Sequence, residues 1–313
     1  MKVSVIIPVY NAAAFVTRCL ESVSRQTYRD FEIVAVDDGS TDGSGALLDR
    51  LAGELPLHVI HQPNQGQSVA RNVAMREARG EYVLMVDADD FLHPRLLEFA
   101  VGLADRQNLD FVQFGFRQVP FAEIDAVRAS WAAEDASPDV VPIRGRAFEW
   151  FVGERQWPVP WQFLYRRRTL ADAAFRPGVI YEDIPFVLTY LAAHDRGAVL
   201  RNPLYGYVQR EGSTTHDENF SRRIEGYEYG MRHLKSVLDD RRYRLFEAQD
   251  CAGWIRCLWR IILRVPDSAR RDAALRELRA FLVRCDGDGL LRAGDFSGFW
   301  RLRYWLAVRK GGR

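Results

Sequence analysis

The sequence predicts an α/β fold, a mostly parallel sheet flanked by helices, followed by a helical C-terminal region. Three observations carry that reading. Short apolar runs alternate with amphipathic segments of helical length over the first hundred residues, a pattern that implies βαβ units. From about Phe220 the pattern becomes helical alone. The chain has 313 residues and is 48% hydrophobic, enough to bury one large core or two small ones.

The elements follow in order. Val3–Pro8 is an apolar run ended by proline, as for a buried strand. Asn11 is placed to cap the helix after it, in which Phe15, Cys19, Leu20 and Val23 recur at helical spacing. Phe31–Val36 is a second strand and Ala46–Leu51 a short helix. Leu57–Ile60 is a third strand. Ser68–Ala78 is a helix with Gly80 just past its end. Tyr82–Val86 is a fourth strand, Pro94–Ala104 a helix and Phe111–Arg117 a fifth strand. Residues 120–142 read as an excursion and Gly206–His216 as a polar loop. A helix follows Asp183, and four more are expected over 224–238, 243–263, 269–284 and 299–309.

Composition excludes several classes. Lys and Arg number 43 against 42 Asp and Glu, so no basic excess marks a nucleic-acid binder. No apolar run is long enough to span a membrane. The four cysteines form no CxxC pair and read as reduced thiols. Met1–Pro8 reads as a strand rather than a signal peptide, so cytoplasmic residence is the expectation. The near-zero net charge of +1 hides a division: 22 basic against 30 acidic residues through position 219, then 21 against 12. The aromatic and basic segment 299–310 suits either a packed helix or peripheral contact with an anionic membrane surface.

Polar residues concentrate where strands end. Tyr10-Asn11, Asp37-Asp38 and Asp87-Ala88-Asp89-Asp90 each follow an apolar run, and ligands of open α/β sheets bind at that rim. Three carboxylates in four residues repel one another unless a cation or solvent compensates, and hard oxygens suit Mg²⁺ or Mn²⁺. The bland alternative is a solvated acidic turn. Asp37 to Asp42 can likewise be a turn and helix cap. Gln65-Gly66 to Arg71-Asn72 opens a helix whose N–H groups can face an anion. No GxGxxG follows the first strand, and no GxxxxGK[ST] or GxSxG occurs.

Four blocks in order, Val5–Asn11, Val36–Asp42, Gln65–Asn72 and Val86–Asp90, together closely resemble the nucleotide-binding half of family 2 glycosyltransferases. The likeness is dense from residue 3 to about 100 and resumes at Tyr181-Glu182-Asp183 and Tyr205–Thr215. It implies a GT-A fold, with a catalytic domain over 1–219 (nucleotide-sugar half 1–105, acceptor half 106–219) and a helical region over 220–313. It implies an inverting transferase that uses a nucleotide-sugar donor, usually a UDP-sugar, and a divalent metal. The acceptor would be a glycan or lipid-linked hydroxyl of a cell-surface polysaccharide. By position, Pro8 and Tyr10 border the base, Asp38 contacts it, and Arg71 lies near the donor. Asp87 holds the ribose and Asp89 the metal, with Asp90 close by. Glu182-Asp183 supplies the general base, assigned to Asp183. Arg210, Ser213 and His216 fall in a segment that closes over the diphosphate. Trp157 and Trp161 are candidates to stack on an acceptor sugar, with core packing favoured for Trp161. Two other classes stay open: a non-catalytic sugar-nucleotide scaffold and a nucleotidyltransferase.

Overall fold

A computed structural model describes residues 1–134, 137–143, 145–209 and 220–291. Its contacts gather into two compact units. The first is Met1–Arg144, Val159–Gly178 and His194–His216; the second is Gly145–Pro158, Val179–Ala193 and Asp217–Arg313. Segments 145–158 and 179–193 fall in the second unit with the helices that follow Phe220.

The first unit runs β1 (Val3–Val9), α1 (Val16–Ser24), β2 (Phe31–Asp38), α2 (Ser44–Ala52), β3 (Leu57–Gln62), α3 (Gln67–Glu77), β4 (Tyr82–Met85), β5 (Phe91–Leu92), α4 (Leu96–Gln107) and β6 (Phe111–Pro120). It continues with α5 (Ile124–Ala133), β7 (Val140–Pro142), β8 (Phe163–Arg166) and β9 (Gly197–Gln209). All these strands join one sheet in the order β3-β2-β1-β4-β8-β6-β9-β5, with β7 paired to β9. The half β3-β2-β1-β4 is parallel, as expected. Beyond it the sheet is mixed: β8 runs antiparallel to both β4 and β6, and β5 and β7 run antiparallel to β9. Parallel pairing still predominates, because β6 and β9 also run parallel, from Phe111 beside Gly197 to Pro120 beside Gln209.

Sequence logic explains most of this unit. Every residue of β1 and β2 is buried, as parallel strands covered on both faces require. In α1 the buried Val16, Cys19, Leu20 and Val23 form one stripe. Gly80 is not a helix stop, since α3 ends at Glu77 and the next residue is extended. A Cβ at Gly80 would lie 2.5 Å from the Ser4 nitrogen, so the close approach of the chain to β1 is what needs glycine there. The Ser4 hydroxyl accepts from the Gly80 N–H at 2.8 Å and donates to Glu32 at 2.6 Å, satisfying a polar knot inside the unit.

Three expectations fail in instructive ways. Asn11 does not cap α1; it lies at φ 47°, and its Oδ1 accepts from the Thr41 N–H at 2.8 Å. Part of the supposed excursion is α5, seated by Ile124, Val127 and Trp131. The supposed loop from Gly206 is strand as far as Gln209.

The second unit contains α6 (Ala147–Gly153), α7 (Asp183–Ala193), α8 (Phe220–Val237), α9 (Asp240–Phe246), α10 (Ala252–Leu263) and α11 (Ser268–Gly287). The helix expected over 243–263 is divided by a π-turn at Glu247–Cys251, where the fully buried Glu247 pairs with Arg244. Asp239 and Asp267 cap α9 and α11, accepting from the N–H groups of Arg242 and Arg270 at 2.9 and 2.6 Å. Among the described residues, no helix is long and apolar enough to cross a membrane. Segment 299–310 lies outside the described residues.

Candidate functional site

In the first unit, the C-terminal ends of β1, β2 and β4 form the rim. The loop after β1 is laced to the loop after β2. Asn11 N–H donates to Ser40 Oγ at 3.0 Å, Ala12 N–H to Ser44 Oγ at 2.8 Å and Ala13 N–H to Asp42 Oδ2 at 2.9 Å. The Ser-Thr-Asp cluster thus ties the two loops into one wall of the rim. On that wall Tyr10 is 53% exposed, whereas Pro8 is buried within β1.

Asp38 is 2% exposed. Its Oδ1 accepts from Gln62 Nε2 at 2.6 Å and the Gln65 N–H at 2.9 Å, and its Oδ2 accepts from the Gly66 N–H at 2.7 Å. The carboxylate expected to meet the base is thereby engaged in shaping the turn that opens α3. Gly66, at φ 89°, suits that turn because glycine tolerates positive φ.

Its neighbour Asp37 also turns inward. His61 of β3 places Nδ1 2.9 Å from Asp37 Oδ2 and Nε2 3.0 Å from Asp49 Oδ1. Burial pushes Asp37 up, but hydrogen bonds from Ser40 and His61 outweigh it and leave the carboxyl below its usual range. The same contacts, Asp37 first and then Asp49, raise His61 above 6.5. A raised histidine gives stability that is complete below its unfolded pKa and fades as pH rises through the folded value. The stability difference between wild type and His61→Gln is therefore expected to be larger at pH 6 than at pH 8 in urea titrations. A difference independent of pH contradicts the clamp.

The acidic turn after β4 alternates. Asp87 and Asp89 are partly exposed, whereas Ala88 and Asp90 are buried. From α3, Arg71 Nη2 donates to Asp87 Oδ1 at 2.8 Å and Gln67 Nε2 to the same oxygen at 3.2 Å. Arg71 is 4% exposed and its guanidinium lies 5.2 Å from the Phe175 ring centroid. Asn72 pairs with the Phe175 backbone through both its amide groups, each at 2.8 Å, which fixes that ring beside Arg71.

Asp90 is held from β9. Tyr205 Oη donates to its Oδ2 at 2.7 Å and the Val208 N–H to its Oδ1 at 2.7 Å. Tyr205 Oη also accepts from the Asp87 N–H at 3.1 Å. Asp90 thus ties the turn to β9. Burial, then the charges of Asp89 and Asp87, push its carboxyl well above the usual range. Sequence reasoning missed Tyr205 and Gln67 as parts of the site. The signal for Tyr205 was present in the Tyr-Gly-Tyr block; Gly206 is required there because a Cβ would meet the Phe91 ring at 2.5 Å. Trp161 is core, 4% exposed and stacked on Tyr205 and Tyr207 at 4.4 and 5.5 Å.

No group of three or more His, Cys, Asp or Glu is gathered as a metal cage among the described residues. The donor set nevertheless fits a hard cation: two carboxylates, Asp87 and Asp89, both reached by solvent. Mg²⁺-type ions commonly take one or two carboxylates and complete their shell with water and substrate phosphates.

In the second unit, Glu182 and Asp183 open α7, both partly exposed. Asp183 Oδ1 accepts from the Ile184 N–H at 2.9 Å. Trp157 is 50% exposed. Arg210, Ser213 and His216 lie outside the described residues.

The family model "Glycosyl transferase family 2" matches residues 4–179. The chain belongs to that family. It is 32% identical over 225 residues to the uncharacterised glycosyltransferase EpsJ of Bacillus subtilis, covering 68% of this chain and 62% of that protein. The chain thus spans less than two thirds of that relative's length. Among solved structures, S. aureus TarS 1-349 in complex with UDP-GlcNAc superposes with a TM-score of 0.70 at 22% identity, over 99% of this chain and 88% of that one. The mannosyltransferase PcManGT of Pyrobaculum calidifontis, in complex with GDP-Man and Mn²⁺, gives 0.55 at 19% identity, over 99% and 86%. At those identities the likeness is one of fold, which is of GT-A type.

Proposed function

We propose that this family member is an inverting glycosyltransferase that moves a sugar from a UDP-sugar to a hydroxyl of a glycan or lipid-linked acceptor, in the assembly of a cell-surface polysaccharide. The observation that carries the reading is the partly exposed pair Asp87 and Asp89 at the end of β4, with Asp87 held by Arg71. The nucleotide sugars in TarS and PcManGT support the donor class, and the Mn²⁺ in the latter supports the metal.

Each residue then has a task. Tyr10 borders the base, and Asp38 shapes that pocket through the Gln65–Gly66 turn. Arg71 orients Asp87 for the ribose hydroxyls. Asp89 would hold Mn²⁺ or Mg²⁺, and the bound cation supplies positive charge to the departing diphosphate. Asp183 takes the proton of the acceptor hydroxyl as its oxygen bonds to the anomeric carbon. The bond from that carbon to the diphosphate oxygen breaks, and its electron pair leaves with the nucleotide. Trp157 is a candidate platform for the acceptor sugar.

Calorimetric titration with UDP, GDP and dTDP, each in Mn²⁺ and in EDTA, tests the reading. UDP is expected to bind tightest and to lose at least about tenfold in affinity without the cation. Equal affinities in the two buffers contradict the metal role, and a preference for GDP contradicts the uridine assignment.

A further inference from the structure

The residue just ahead of the Glu-Asp pair has an unusual backbone. Tyr181 lies at φ 61°, in the left-handed region that bulky residues seldom enter. Such a conformation persists only where the surroundings over-determine it. Here one face of α8 does so. Arg223, Gly226, Tyr227 and Gly230 share that face at helical spacing. Arg223, 6% exposed, donates from Nη1 to Tyr181 Oη at 2.6 Å. The Tyr227 ring stacks on Tyr181 with centroids 4.4 Å apart and planes within 12°. Trp254 of α10 stacks behind Tyr227 at 5.0 Å. At Gly226 the backbones come so close that a Cβ would lie 2.3 Å from the Ile180 carbonyl oxygen.

The consequence reaches Asp183 through one donor. The Ile184 N–H is shared between the Tyr181 carbonyl at 3.3 Å and Asp183 Oδ1 at 2.9 Å. The Tyr181 peptide and the Asp183 side chain therefore settle against the same group. A change in the Tyr181 dihedrals leaves the shared N–H to the Asp183 carboxylate alone and shifts the backbone that carries Asp183, two residues on.

We infer that Tyr181 is a positioning residue, and that α8 and α10 exist in part to hold it. The helical region would then act on the chemistry by fixing the backbone from which Asp183 projects. This inference rests on the reading of Asp183 as the base.

The test uses the full chain and the release of UDP from a UDP-sugar, with water or a glycan as acceptor. Tyr227→Leu removes the stack, and Gly226→Ala pushes Ile180 away. Each is expected to lower kcat by about 10- to 100-fold, because small misplacements of a reacting group have effects of that size. The KM for the donor and the Kd for UDP stay within about twofold of wild type. Tyr181→Phe keeps the ring in its stack and recovers most of the rate that Tyr181→Ala loses. In an Asp183→Asn background, Tyr227→Leu adds no further loss, since both act on one group.

Wild-type kcat in Tyr227→Leu and Gly226→Ala overturns the inference. So does a parallel loss of donor affinity and melting temperature, which marks a merely structural role, and so does an equal further loss in the Asp183→Asn background. Wild-type turnover in Asp183→Asn alone overturns the base assignment itself, and the inference with it.

Discussion

Asp183→Asn is expected to cut sugar transfer by a factor of about 10² to 10⁴, the usual contribution of a general base. The substitution is nearly isosteric. An asparagine Oδ1 can still accept from the Ile184 N–H, now at 2.9 Å, so the start of α7 is kept. What is lost is the ability to take a proton. Nucleotide affinity, which the proposed reading assigns to the residues at the ends of β1, β2 and β4, is expected to stay within about twofold. Release of the nucleoside diphosphate measures the first quantity and calorimetry the second. Turnover close to wild type would sink the assignment of Asp183.

The second large effect concerns Asp89. Asp89→Ala is expected to raise the Kd for UDP in Mn²⁺ to the value found in EDTA, a loss of at least about tenfold. The contrast with its neighbour is informative. Asp90 receives hydrogen bonds on both oxygens from β9, so Asp90→Ala strips acceptors from Tyr205 Oη and the Val208 N–H. That variant is expected to lose about 1–3 kcal/mol of stability in urea unfolding, with the ratio of affinities in Mn²⁺ and EDTA preserved. If Asp89→Ala keeps the Mn²⁺ effect and Asp90→Ala abolishes it, the roles given to the two carboxylates are reversed.

The parallel half of the sheet and its acidic turn were legible because local pattern and tertiary role coincide there. Short, fully buried strands read as apolar runs, and a cluster of carboxylates at a strand end reads as a rim. The rest depended on contacts distant in sequence. β8 has four residues, too few to show a period, and runs straight into Arg167 and Arg168. β9 contains Arg201, Asn202, Pro203 and Gly206, and its pairing with β6 is irregular around Gly115, so no alternation marks it. The burial of Asp38 and Asp90 was not legible, because a sequence shows a carboxylate's position but not what surrounds it. In both, backbone N–H groups from other segments claim the oxygens. Asn11 was misread for a similar reason: its partner is the Thr41 N–H, thirty residues away. The seat of Tyr181 was hidden because it joins residues 180–183 to a helix beginning at Phe220.

The central claim is that the chain turns over a nucleotide sugar with Asp183 as base and Asp89 as metal ligand. The most direct measurement is nucleoside diphosphate release from a panel of UDP-, GDP- and dTDP-sugars in Mn²⁺, run beside Asp183→Asn and Asp89→Ala. Release from a UDP-sugar that requires the cation and is lost in both variants is the expected result. Tight binding of the nucleotide sugar with no release from any donor, with or without a glycan acceptor, would contradict it and leave a binding scaffold in its place.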